Sequence, residues 1–449
     1  MPSLLAIFLA LYSKNVLLSL FSGTILGVMV LNDFALISTL EGTIDLFTKL
    51  LSTPWILKTL GFVILVGSIM ALIERSGGVS GFINYILNKK EFVKSPRSAL
   101  MISYILGVVI FIETSITALI SGAVGKPFCD KYKIPHEKLA FVCDSTSAPI
   151  GSLVIINGYG VLLLGLITTQ ISQGNLQIEA LSTLLDAILF NFYSISALIV
   201  TFLFIWFDFN IGPMKEASYV KRENIVVHKN QSMYLMIAPI SLMLILIFVF
   251  LYITGDGDIL KGSGSSSIFY TMIATWLFTL FYYVGSKNMN FKEWSVTSFY
   301  GAKKLFMVSM ILVFAFSIGS VTSELKTGQY LASFASENLN VIFLAGILFL
   351  LSSLMSFSTG TSWGTFSIMI PVAIPMAVGM DANISLCIGA VISGGIFGDH
   401  CSPISDTTII SSMAADCEII DHVKTQLPYA LISGVIAFIL FVVFSFLVQ

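Results

Sequence analysis

Four acidic residues stand where acids are rare. Glu113, Asp144, Asp399 and Asp406 fall in long apolar stretches, with no lysine or arginine at their depth, and His400 is the nearest base. Each has hydroxyl neighbours. Thr114, Ser115 and Thr117 follow Glu113; Ser145, Thr146 and Ser147 follow Asp144; Ser402, Ser405, Thr407 and Thr408 surround Asp406. A further hydroxyl-rich run, Ser358-Thr-Gly-Thr-Ser-Trp-Gly364, supplies Thr359, Thr361 and Ser362. Pro149 and Pro403, with Gly151 and Gly398, are expected to interrupt helices and free backbone carbonyls. Carboxylate, hydroxyl and carbonyl oxygens together suit a hard cation such as Na+. A carboxyl kept from water also holds its proton more firmly, so one group can take a proton or a cation in turn.

These residues sit in a chain of unusual composition. Of 449 residues, 56% are apolar and 11% are charged, against about 25% charged in a soluble chain. That excludes a soluble globular enzyme, a disordered chain and a nucleic-acid binder. The net charge of −2 implies no polyanionic partner. Five scattered cysteines (129, 143, 387, 401 and 417) form no CxxC pair, so they read as packing residues. Residues 1–12 are apolar without a basic start or cleavage site, which suggests a short or tilted first helix.

Apolar spans are predicted near 3–12, 15–31, 58–74, 97–128, 139–170, 183–207, 234–253, 267–285, 305–321, 339–380, 385–415 and 430–448. Basic residues orient them, because cytoplasmic loops collect Lys and Arg. Loops 86–98, 126–138, 208–232 and 286–304 hold four each, and Lys14, Arg75 and Lys424 share their side. Nineteen of the twenty-three therefore face the cytoplasm, leaving Lys49, Lys58, Lys261 and Lys326 outside. His136, His228 and His422 then fall in solvated inner loops. Loops 86–98 and 126–138 share a side, so 97–128 must enter and return. Its arms of about 15 residues reach about 22 Å, short of a hydrocarbon core of about 30 Å. A re-entrant hairpin fits. Segment 339–380 must also return to its own side.

The expected fold is an all-α polytopic membrane protein with two inverted-topology repeats, each with a re-entrant helical hairpin and an interrupted transmembrane helix. Residues 1–207 form the first repeat, with hairpin 97–128 and interrupted helix 139–170. Residues 208–232 form a cytoplasmic linker. Residues 233–449 form the second repeat, with hairpin 339–380 and interrupted helix 385–415. Asp144-Ser-Thr-Ser-Ala-Pro149 echoes Asp399-His-Cys-Ser-Pro403 across the halves. Inverted repeats with broken helices are a mark of secondary transporters. Ionisable groups at membrane depth cost several kcal/mol and usually mark an ion or proton path.

Two other patterns are weaker. Gly360-Thr-Ser362-Trp-Gly364 fits the GxSxG nucleophile elbow, which needs a strand–turn–helix setting. An intramembrane serine hydrolase using Ser362 and His400 is the remote alternative. Asp399-His400-Cys401 has metal-ligating types, but adjacent side chains on a helix point apart.

The run Gly398-Asp-His-Cys-Ser-Pro-Ile-Ser-Asp-Thr-Thr408, with Asp421-His-Val-Lys-Thr-Gln-Leu-Pro-Tyr429, closely resembles the NhaC family of sodium/proton antiporters. Thr359-Gly-Thr-Ser-Trp-Gly-Thr365 and Asp130-Lys-Tyr-Lys-Ile-Pro-His-Glu-Lys-Leu-Ala140 look like other blocks of that family. The tip Phe111-Ile-Glu-Thr-Ser115 departs from the Asp-rich, aromatic tip of many members. The resemblance implies the ion transporter superfamily fold, a homodimer and elevator-like movement. The leading expectation is Na+/H+ exchange in a bacterial inner membrane, with the lipid bilayer, Na+ and H+ as partners and no cofactor. Asp144 and Asp399 are expected to bind Na+ or H+. Glu113 and Asp406 would assist, with Thr114, Ser115, Ser145, Thr359, Thr361, Ser362 and Ser402 as candidate oxygen donors. The alternative is a Na+- or H+-coupled carrier of a small organic acid, of the malate/lactate type, or of an amino acid.

Overall fold

The computed structural model describes residues 2–13, 15–88, 93–111, 114–174, 179–220, 232–257, 262–326, 330, 333 and 339–448. Glu113, His228 and most of the tail of linker 208–232 lie outside them. Nineteen α-helices follow in order among the described residues, with no strand. They are α1 (Pro2–Ser13), α2 (Val16–Leu31), α3 (Leu36–Leu51), α4 (Pro54–Arg75), α5 (Gly78–Asn88), α6 (Pro96–Val109), α7 (Thr114–Tyr132), α8 (His136–Leu153), α9 (Gly158–Ser172), α10 (Ala180–Leu189), α11 (Phe192–Phe207), α12 (Tyr234–Thr254), α13 (Gly264–Gly285), α14 (Phe291–Glu324), α15 (Leu344–Thr359), α16 (Ser362–Gly379), α17 (Ile384–Cys401), α18 (Asp406–Ala415) and α19 (Ile419–Leu447). Ten described helical stretches are long and apolar enough to cross a membrane. The large rings of Phe207, Phe281 and Phe446 lie on the outer surface, as lipid-facing residues do.

The chain divides into two compact units, and each draws on both halves of the sequence. Residues 51–93 and 223–312 form the smaller unit. Within it, Ser68 donates to the carbonyl of Ser298 at 2.9 Å, and Trp276 donates to the Ser298 hydroxyl at 2.7 Å. Leu72, Leu235, Tyr283, Met289 and Trp294 form its core. Residues 1–50, 94–222 and 313–449 form the larger unit, which holds every described site residue.

In the larger unit α6 packs with α7 and α15 with α16. α6 opens on a capping box at Ser95 with Pro96 in the first turn and ends at Val109, and α7 begins at Thr114. α15 ends at Gly360, whose φ of 66° puts the turn in the left-handed region that favours glycine. Thr361 then caps α16 through the Gly364 amide.

Helical structure stops between α8 and α9 and again between α17 and α18, and the two prolines differ in place. Pro403 lies in the break between α17 and α18. Pro149 lies inside α8, and that helix runs on to Leu153 before the chain turns extended at Val154. Proline inside a helix removes one N–H and frees the carbonyl four residues back. At Pro149 that carbonyl belongs to Ser145, so the residue loosens the helix beside Asp144 without ending it.

Asn157 holds the first break open. Its Oδ1 accepts from the amides of Tyr159 and Gly160 at the start of α9, at 3.0 and 3.2 Å. Its Nδ2 donates to Gly151 O at 2.7 Å and to Phe111 O, two residues past the end of α6, at 3.1 Å. One side chain thus satisfies helix-end groups on both sides of the break and ties it to the chain just past α6. The second break has a parallel arrangement. Ser402 donates to Phe357 O at 2.8 Å, near the end of α15.

α15 and α17 pack very closely. A Cβ on Gly394 would lie 2.3 Å from Phe349 O, and one on Gly398 would lie 2.1 Å from Ser353 O. This is the small-xxx-small approach of membrane helices. It also carries Asp399, the residue after Gly398. Gly→Ala in a helix normally stabilises by about 1 kcal/mol. At Gly398 the clash with the backbone reverses the sign, and overpacking costs about 1–3 kcal/mol or more. Gly398→Ala is therefore expected to lower the thermal midpoint of purified protein. Gly285→Ala, where nothing lies within 4 Å, is expected to leave it equal or higher. A scan with equal midpoints for both would remove the close-approach explanation.

Candidate functional site

Asp144 lies within α8, ten residues before its break, and Asp399 in the last turn of α17, three residues before its own. The symmetry read from the sequence echo therefore does not extend to their places along the helices. Both carboxylates are fully buried.

Asp399 meets hydroxyls. Its Oδ2 accepts from the Ser362 hydroxyl at 3.0 Å. Ser362 opens α16, so the helix's partly positive N-terminal end lies beside the carboxylate. Tyr159 of α9 shares a hydrogen bond with Ser362 at 2.9 Å and packs its ring 5.5 Å from Trp363. Asp399 Oδ1 has no hydrogen-bond partner among the described residues. The Ser405 hydroxyl, Asp406 and Asp144 also lie within electrostatic reach of Asp399.

Asp144 meets nitrogen and hydroxyl donors. Its Oδ2 takes Gln426 Nε2 at 2.8 Å, His422 Nε2 at 3.2 Å and the Thr408 hydroxyl at 3.2 Å. His400 Nε2 lies 3.9 Å away and is 3.2 Å from the Ser145 hydroxyl. His400 Nδ1 pairs with the Tyr193 hydroxyl at 2.6 Å. Asp144 Oδ1 has no hydrogen-bond partner among the described residues.

The remaining expected site residues divide. Ser362 and Ser145 reach the two centres. Thr359 donates back to Met355 O at 2.9 Å, Thr361 caps α16, and Ser402 holds the hairpin turn. Thr114 and Ser115 are half-buried at the start of α7. Asp406 is exposed in the first turn of α18 and accepts from the Thr407 amide at 2.9 Å. Glu113 lies outside the described residues.

Two histidines assigned to solvated loops are buried. His422 belongs to α19, which begins eleven residues before the apolar span that starts at 430. His136 opens α8, with Nε2 3.0 Å from Asp130 and Nδ1 3.2 Å from Asp416 O. Lys126, expected in an inner loop, is buried in α7 and pairs with Asp416 at 2.7 Å. Burial of a polar side chain requires partners, and these residues found them on other helices. Gln426, Tyr159, Asn157 and Tyr193 carried no signal by spacing. Gln426 stands only as part of the run Asp421–Tyr429, which assigns it no role.

The hydrolase geometry is not formed. Ser362 is bonded to Asp399 and Tyr159, while His400 serves Ser145 and Tyr193. Ser145 and Asp144 face the same nitrogen of His400, whereas a triad needs them on opposite nitrogens. No group of three or more His, Cys, Asp and Glu is arranged to hold a metal ion among the described residues.

Residues 157–446 match the Na+/H+ antiporter family. The chain belongs to that family. A protein of Haemophilus influenzae described only as uncharacterized is 31% identical over 459 residues, covering 96% of this chain and 87% of that one. The malate-2H+/Na+-lactate antiporter of Bacillus subtilis is 38% identical over 106 residues, 24% of this chain and 22% of its own. Two solved structures share the fold. MtrF of Neisseria gonorrhoeae, described within a class of antimetabolite efflux pumps, aligns with a TM-score of 0.61 at 15% identity, covering 93% of this chain and 86% of that one. The YdaH transporter of Alcanivorax borkumensis aligns with a TM-score of 0.62 at 14% identity, covering 89% and 86%. The antiporter is thus a multi-pass membrane protein and a secondary transporter, not an enzyme.

Proposed function

We propose that this antiporter exchanges Na+ for H+ across the inner membrane of a bacterial cell, by alternating access between inverted repeats 1–207 and 233–449 joined by linker 208–232. One observation carries the reading. Asp144 and Asp399 are buried carboxylates that each have one oxygen held by hydrogen bonds and one without a partner among the described residues. A carboxylate so placed has one position for cargo. A proton there makes a neutral acid; Na+ there makes a neutral pair. The two are mutually exclusive, which is the condition for exchange. Ser362, bonded to Asp399, and Ser145, bonded to His400 beside Asp144, are the proposed oxygen donors among those expected. Asp406 and Glu113 are proposed to assist, and a homodimer is the proposed assembly.

The B. subtilis relative and the Tyr159–Trp363 ring pair beside Ser362 favour one second reading, Na+- or H+-coupled carriage of a small organic acid. Proteoliposomes with an imposed pH gradient separate the two. Exchange predicts proton movement on adding Na+ alone, read by an internal pH dye. Movement only when malate or lactate is also present sinks Na+/H+ exchange and supports the second reading.

A further inference from the structure

We infer that His422 and Gln426 are positioning residues that hold one oxygen of Asp144 and leave the other for cargo. The inference rests on Asp144 being an ion-coupling carboxylate. A free aspartate turns about its last torsion and presents either oxygen. Here three donors meet on Oδ2 and none on Oδ1 among the described residues. Two of the three come from α19. His422 and Gln426 are four residues apart, on one face of the helix, and both are fully buried.

Gln426 is fixed in turn. Its Nε2 donates to Asp144 Oδ2 and also to the carbonyl of His400, while its Oε1 has no partner among the described residues. Only the orientation with the NH2 group toward these two oxygens makes both bonds. The amide thereby joins Asp144 on α8 to the residue next to Asp399 on α17. His422 presents Nε2 to the ionised carboxylate, so its proton lies on that nitrogen when the ring is neutral. The pair sets which oxygen of Asp144 is bare and where it stands relative to the last turn of α17.

The test is the split between apparent KM for Na+ and maximal rate in proteoliposomes. A hydrogen bond to a charged partner carries about ten- to a hundredfold in an equilibrium constant. Gln426→Met keeps the length and removes the donor; KM should rise about tenfold or more, with a smaller change in maximal rate. His422→Leu should behave alike, and His422→Gln, which keeps an N–H near the Nε2 position, should recover most of the loss. Gln426→Asn keeps an amide in place and withdraws it by one methylene. Its KM should also rise, and a native KM in Gln426→Asn overturns the inference whether or not Gln426→Met folds. A fall in rate at native KM overturns it as well. The Na+ midpoint of thermal stabilisation in detergent reads the same shift without flux. If the native protein binds Na+ yet moves no protons, exchange fails while the inference is still decided by that midpoint. If Na+ produces no stabilisation and no flux, both fail.

Discussion

Asp399→Asn is expected to reduce Na+-driven proton movement by at least about a hundredfold while leaving the protein inserted and folded. The magnitude follows from the setting. Leaving one member of a buried charge pair without the other costs about 3–5 kcal/mol, or more than two powers of ten. A cation beside the substituted amide would have dipoles but no opposite charge. The fold has little cause to change, because the asparagine oxygen can accept from Ser362 as Oδ2 does at 3.0 Å. The NH2 group then occupies the place of Oδ1, where it can take neither a proton nor Na+. Ser362→Ala should cost less, about tenfold, since it removes a neutral ligand and one hydrogen bond to a charge. Stopped-flow pH-dye records in proteoliposomes give both values. Retention of native exchange in Asp399→Asn would falsify its role as a cargo carboxylate.

Much of this antiporter was legible because a membrane simplifies the sequence. The all-helical, multi-pass architecture followed from the length and number of the apolar spans. The four unusual acids followed from rarity alone. What hydropathy missed was polar and buried. α19 starts at Ile419, but Asp421, His422, Lys424 and Gln426 made its first turns look like a loop. Hydropathy measures contact with lipid, whereas His422 and Gln426 face other helices. Pro149 misled in the opposite direction. Proline marks a missing N–H, which a packed membrane helix tolerates, and Asn157 was the residue holding the break. α3 was also missed, because its sixteen residues include Glu41, Asp45 and Lys49. Its exposed apolar residues share the helix with that charged face, so no window was apolar enough. The partnership of Tyr159 with Ser362 spans 203 residues, and no spacing rule reaches that far.

Asp144→Asn is the second large expected loss, and its surroundings allow a sharper contrast. Oδ2 of Asp144 accepts from Gln426, His422 and Thr408. An asparagine satisfies those donors only with its oxygen on that side. Its NH2 group is therefore placed at the Oδ1 position, the one proposed for cargo. Exchange should fall by about a hundredfold or more on the same charge argument, with the thermal midpoint near native. Asp144→Leu removes the acceptor altogether. Three buried donors then lose their common partner at about 1–3 kcal/mol each, a loss comparable with a typical domain stability of about 5–15 kcal/mol. That variant should fail to accumulate as folded protein. The pair of variants separates the two duties of one side chain: Oδ2 organises three helices, and Oδ1 carries charge. If Asp144→Asn is folded and exchanges at the native rate, coupling does not pass through this carboxylate, and its buried donors serve the fold alone.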